Sequence, residues 1–180
     1  MVSQGMIDLE TLGTSYDSVV LTIGAAKFTP FSNSEPREKL YLKLDTSDQV
    51  AKGRVIDEGT LKWWGTQDEE VRKDTFSEHD RVDVSEALDV LTEWFGDVTK
   101  VWCQGPSFDF PILQNLFQHY DKKKPWNFWN ERDARTVTGL VPEDIKSKID
   151  FAAHSAIEDV VAQCKCVQYV FNQLDIHRTF

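Results

Sequence analysis

MIDLETLG, residues 6 to 13, sets two carboxylates, Asp8 and Glu10, inside a short apolar segment. Side chains alternate faces along a β-strand. As a strand, this segment points Ile7 and Leu9 into a core and stands Asp8 and Glu10 side by side on the opposite face. Like charges that close repel. The pair is stable only when it is well solvated, holds a proton or holds a cation. Which of these applies depends on what the rest of the chain brings to the same place.

Working outward, SVVLTIGAAKF (18–28) is rich in β-branched and small residues and reads as a second strand, and EKLYLKL (38–44) alternates as a third. Short connections between the three predict an antiparallel meander. From Glu58 the pattern turns helical, with one or two short helices broken near Gly65. DVSEALDVLTEWFGD (83–97) is the clearest amphipathic helix, with Ser85 as its expected cap and Gly96 as its end. KVWCQG (100–105) reads as a short buried strand and SFDFPILQNLFQHY (107–120) as a helix opening out of it. RDARTVTGL (132–140) reads as a short helix and SAIEDVVAQCKCVQYVFNQL (155–174) as a long final one. Strands first, then alternating helices and strands, predict an α/β domain with a mixed sheet flanked by helices.

The bulk properties agree. With 180 residues, 41% hydrophobic and 12% aromatic, the chain is long and apolar enough for one globular domain spanning residues 1–180. No apolar run approaches the ~20 residues of a membrane span, and MVSQGMIDLE lacks the basic start and apolar stretch of a signal peptide. The expected location is the cytoplasm, without membrane contact. Cys103, Cys164 and Cys166 have no zinc-type spacing and are expected to be reduced and structural. A net charge of −10 argues against tight, non-specific nucleic-acid binding. It does not exclude phosphate binding through metal ions and a local basic rim.

Two more acidic positions bear on the opening pair. Asp109 sits between Phe108 and Phe110 at a strand-to-helix junction, where an acid needs a partner or a helix N-terminus. His154 precedes Asp159 by five residues. Inside one helix that spacing separates side chains by roughly 140°, from ~3.6 residues per turn, so the two converge only if the helix starts between them. Ser155 and Glu158 have the spacing of a capping box and supply that start. Each feature alone has an ordinary structural explanation. Together, four carboxylates and a histidine on element ends suit hard, oxygen-seeking cations. Two Mg²⁺ ions about 3.5–4 Å apart can activate water and stabilise a leaving oxygen, with a neutral histidine as general base.

DLE (8–10), SFDFPIL (107–113) and HSAIED (154–159) resemble, in order and spacing, the three exonuclease motifs of the DEDDh group of 3′→5′ exonucleases. That group has a ribonuclease H-like fold. TLKWWGTQ (60–67), SFDFPIL and WNERDART (129–136) are similar to the bacteriophage exonuclease A type and its exoribonuclease relatives, so a phage or prophage origin, and then the host cytoplasm, is expected. The resemblance implies that Asp8, Glu10, Asp109 and Asp159 are metal ligands for two Mg²⁺ or Mn²⁺ ions and that His154 is the general base. It implies that Thr11, Leu12 and Gly13 hold the terminal nucleotide, with Leu12 standing where the family carries a threonine and offering an apolar contact to the base. Phe108 is the expected stacking residue and Arg135 the expected phosphate contact. Arg132 and Lys122–Lys124 are further basic groups, the lysines at most a rim. Asp133 and Asp150 are either supports of the site or ordinary residues. Gly24 either lets a strand pass close to the site or serves core packing, and of Trp63 and Trp64 one is expected in the core and one nearer the cleft.

The expected activity is metal-dependent 3′→5′ hydrolysis of a single-stranded DNA or RNA end, releasing 5′-mononucleotides. Two alternatives stand beside it: a non-catalytic nucleic-acid-binding or interaction protein on a nuclease fold, and a phosphoesterase of short oligonucleotides. Relatives are often homodimers, but the sequence carries no diagnostic interface, and the choice between DNA and RNA stays open.

Overall fold

A computed structural model describes residues 3–142, 144, 145, 149 and 154–177. β1 (Ser3–Thr11), β2 (Val20–Phe28) and β3 (Arg37–Leu44) form the antiparallel meander that the sequence predicts. β4 (Arg81–Val82) adds parallel to β3, β5 (Val98–Cys103) lies parallel to β1, and β6 (Glu131–Asp133) lies parallel to β5. The result is one mixed six-stranded sheet in the order β4-β3-β2-β1-β5-β6.

β1 lies inside the sheet, and both its faces are covered. Ile7 and Leu9 pack with Leu88 and Leu91 of α4 (Val84–Phe95) and with Leu113 and Leu116 of α5 (Asp109–His119). Met6, on the other face, packs with Val160, Cys164 and Val167 of α7 (Ala156–Gln173). Each fully buried aliphatic side chain contributes about 1.5–3 kcal/mol. Asp8 and Glu10 therefore share the face of Met6, beneath α7, rather than an open solvated surface.

Gly24 decides how close α7 comes. It pairs with Asp8 across the β1–β2 ladder. A Cβ there would stand 2.3 Å from the Ala156 carbonyl oxygen and 2.8 Å from the Ile157 nitrogen, both backbone atoms that cannot rotate away. The bare glycine backbone is what lets the first turn of α7 dock over the carboxylate pair.

α2 (Glu58–Trp64) and α3 (Glu69–Phe76) are the two short helices expected around Gly65. Trp64 is buried with Leu12, Val19 and Leu21, and its indole N–H donates to the Thr11 carbonyl at 2.9 Å, tying α2 to the end of β1.

The structure departs from the sequence reading in several places. Asp83, not Ser85, caps α4, accepting from the Glu86 N–H. The Ser155–Glu158 capping box does not form: Ser155 is the N-cap residue but makes no side-chain cap bond, and Glu158 is exposed. β4, β6 and α1 (Thr46–Ala51) are too short to show a period, and RDARTVTGL divides into the end of β6 and α6 (Ala134–Thr138). Cys164 and Cys166 are buried in different clusters, as their two-residue offset requires. No helix among the described residues is long and apolar enough to cross a membrane.

Candidate active site

β1 and β5 run parallel, so their C-terminal ends meet at one edge of the sheet. Gly105, at φ +135°, turns the chain from β5 toward α5 and places Asp109 at the first position of that helix. α7 arrives over Gly24. One carboxylate oxygen from each of Asp8, Glu10 and Asp159 lies within 4.8 Å of the others.

Asp109 is only 3% exposed and stands beside this trio rather than within it. Its carboxylate accepts from the Cys103 thiol and the Leu9 backbone N–H. The Gln163 amide N–H donates to Asp8 Oδ1 at 2.7 Å. His154 precedes α7 at φ +67°, in the left-handed region, and its backbone N–H donates to Asp159 Oδ2 at 2.8 Å. The helix start thus converges His154 and Asp159 as the spacing requires, with Asp159 making the reach-back bond expected of a cap.

The electrostatics are those of an anion-rich pocket. Burial, then the charges of Asp109, Glu10 and Asp159, push the Asp8 carboxyl well above the usual range. Burial, then Asp159 and Asp109, push Glu10 up to about 9. Burial raises Asp109 to about 7 against its bonds from Cys103, Leu9 and its own backbone N–H and against the Arg135 charge. Burial and the neighbouring Asp109 also push the Cys103 thiol up, so it is a protonated donor and not a thiolate ligand. The remaining donors are carboxylate oxygens. This oxygen-rich set fits a hard divalent cation.

The carboxylates open into a cavity of about 570 Å³ lined by Asp8, Glu10, Asp159, His154 and Gln163 together with Thr11, Gly13, Trp63, Phe108 and Arg135. Trp63 is 42% exposed, and its ring meets the His154 imidazole edge-on at 4.9 Å. Trp64 is the core residue of the pair. Arg135 is exposed, and its guanidinium donates to the Gln104 carbonyl at 3.0 Å.

Leu12 is a correction. Its side chain is 5% exposed, packed against Trp64 in a small satellite core, and does not line the cavity. The expectation comes from the family resemblance; here a bulge between Glu10 and Thr11 shifts the register just before Leu12. The lysine run lines a separate groove with Trp126 and Phe128, where Lys122 pairs with Asp89 and Lys124 with Glu131. Asp133 caps α6, accepting from the Arg135 N–H and the Thr136 hydroxyl. Arg132 donates to the Trp129 and Glu131 carbonyls and does not line the cavity. Asp150 lies outside the described residues. Gln163 was not anticipated, although its place four residues after Asp159 puts both on one helix face.

A mixed sheet with carboxylates gathered at the ends of β1, α5 and α7 has the ribonuclease H-like fold. Residues 3–171 match the 3′-5′ exoribonuclease Rv2179c-like domain, and the chain belongs to that family of 3′→5′ exonucleases. It is also 27% identical, over a 200-position alignment covering 91% of this chain and 87% of the relative, to the exodeoxyribonuclease of Enterobacteria phage T4. Its fold matches E. coli exonuclease I in the zinc-bound complex with single-stranded DNA, at TM-score 0.66 and 17% identity over 97% of this chain and 41% of that one. The complex of E. coli exonuclease I with a dA16 oligonucleotide matches at TM-score 0.60 and 18% identity, over 99% and 44%. The chain therefore spans less than half the length of the exonuclease I chains.

Gly24→Ala tests the docking of α7. The added methyl must push the helix start outward, moving Asp159 and His154 together. Overpacking of this kind costs about 1–3 kcal/mol, and a displacement near 1 Å in a catalytic constellation costs roughly 10²-fold in rate. Thermal unfolding and steady-state kinetics check both. Wild-type activity in the variant would mean that the approach of α7 is not what places the two residues.

Proposed function

We propose that this exonuclease acts on single-stranded 3′ ends and releases 5′-mononucleotides. In this reading Asp8, Glu10, Asp109 and Asp159 hold two Mg²⁺ or Mn²⁺ ions and His154 is the general base. The observation that carries it is the convergence of three carboxylates within 4.8 Å, with His154 tethered to one of them at the wall of the same cavity. Divalent cations bound there would neutralise the phosphodiester and activate water. The protein's own part is to orient and to move a proton. His154 accepts the proton of the attacking water at a ring nitrogen, held in place by its backbone bond to Asp159 and the edge of Trp63. Phe108 and Trp63 offer apolar faces to the terminal bases. Thr11 and Gly13 hold the terminal nucleotide, and Arg135 contacts a phosphate.

The testing experiment uses 3′- and 5′-labelled single strands of matched sequence, one DNA and one RNA, in Mg²⁺ or in EDTA. Metal-dependent shortening from the 3′ end is expected, and the faster strand names the preferred sugar. No shortening in Mg²⁺ or Mn²⁺ would overturn the reading.

One observation favours a second reading, preference for short oligonucleotides. Among the described residues, Arg135 is the one lysine or arginine lining the cavity, in a chain of net charge −10. Binding should then weaken with salt only shallowly, since each neutralised phosphate of a single strand adds about −0.7 to the log–log slope. A steep slope, or rates that climb with strand length, would favour long strands.

A pH prediction follows from the crowded carboxylates. Glu10 binds its proton more tightly folded than unfolded, so that stabilisation is full below pH 4.5 and is lost as pH rises through about 9. Asp8 acts in the same direction. A divalent cation takes over the proton's role. The rise in Tm on adding Mg²⁺ should therefore grow with pH across that window, measured by calorimetry against EDTA. An equal rise at both ends would contradict the crowding.

A further inference from the structure

We infer that Gln163 is a positioning residue for the cation site, fixing one oxygen of Asp8 so that the other stays turned toward the neighbouring carboxylates. This rests on the reading of Asp8 as a metal ligand.

Gln163 lies on α7 four residues after Asp159, so one face of one helix delivers both a carboxylate and an amide to Asp8. It is 5% exposed and lines the cavity. The neighbouring sheet-facing positions of α7 carry Val160, Cys164 and Val167, and an apolar residue would serve packing better here. The amide instead donates to Asp8 Oδ1 at 2.7 Å, and no other side chain among the described residues donates a hydrogen bond to Asp8.

Its own carbonyl tells the same story. Gln163 Oε1 is buried and has no hydrogen-bond partner. A buried acceptor without a donor destabilises the fold, so half of this side chain works against stability while the other half restrains a carboxylate. A residue kept only for packing would carry neither group. The arrangement is that of an outer hydrogen bond orienting a ligand, whose removal typically lowers metal affinity about 10–100-fold.

Gln163→Met keeps the length and apolar bulk of the side chain and deletes both polar groups. Mg²⁺ and Mn²⁺ affinity would be measured by calorimetry without substrate, alongside Tm in EDTA, Tm in metal, and kcat and KM across a metal titration. The expected result is a metal Kd raised about 10–100-fold, Tm in EDTA unchanged or higher, and a smaller metal-induced rise in Tm. The rate at saturating metal should recover toward the wild-type value. Gln163→Ala should show the same loss of metal affinity with a lower Tm in EDTA, because it also removes packing. Unchanged metal affinity in a folded Gln163→Met protein overturns the proposal. So does a fall in Tm in EDTA with an unaltered metal-induced rise, which is the mark of a packing role. Asp8→Asn is the control that separates the two levels: if it retains wild-type metal affinity, the reading of the site itself fails, and the role of Gln163 falls with it.

Discussion

Asp8→Asn is expected to lower strand degradation to the level left by EDTA and, in the absence of metal, to raise Tm. Both effects have one cause. Asp8 sits among Asp109, Glu10 and Asp159, and burial removes the water that would screen the four. An amide of the same shape stays neutral where the Asp8 carboxyl must finally give up its tightly held proton, so the gain appears as pH rises. The gain is on the order of 0.5–2 kcal/mol, typical when a strained functional position is relaxed, and about 2–4 °C per kcal/mol for a domain this size. The same amide cannot supply an anionic ligand, so the metal-induced rise in Tm should shrink sharply. Near-wild-type degradation would remove Asp8 from the proposed site. A lower Tm in EDTA would show that the carboxylates are held by something other than mutual crowding.

His154→Asn carries the second large effect. General acid–base groups contribute roughly 10²–10⁴-fold to rate, and a loss in that range is expected with metal affinity nearly intact. Asparagine is the better probe than alanine because residue 154 sits at φ +67°. Asparagine tolerates the left-handed region, and the backbone N–H to Asp159 is kept whichever side chain is present. Only the imidazole is removed. Calorimetric metal binding and single-turnover rates should diverge. If affinity and rate fall together, His154 is a ligand and the base lies elsewhere. Trp63→Ala, which removes the ring against the imidazole, should lower the rate less than His154→Asn, since the imidazole remains. An equal loss would make the Trp63 contact part of what the histidine needs.

Much of the frame was legible from local pattern. Period-2 alternation marks β1 and β3, and the helical stripes mark α4, α5 and α7, because each of these elements is long enough to repeat its period against a core. The five-residue gap between His154 and Asp159 requires a helix start between them, and one is present, although Asp159 rather than Glu158 makes the reach-back bond. β4 and β6, with two and three residues, have no period to show and exist because a neighbouring strand offers an open edge. The choice of Asp83 over Ser85 as a cap turns on one backbone geometry, and either residue type serves that role.

The sequence by itself determined the composition of the candidate site, acidic residues at element ends with one histidine, and the motif order of the 3′→5′ exonuclease family. Those features are local, written in spacing and residue type. Tertiary structure alone decided the neighbours. It turned Leu12 into a satellite core through a bulge after Glu10, left Trp63 half-exposed at the cavity while burying Trp64 beside it, and drew α7 onto the bare backbone of Gly24. It also set Gln163 against Asp8 across 155 residues of chain. Such contacts come from packing one element against another, and no periodicity within either element carries that information.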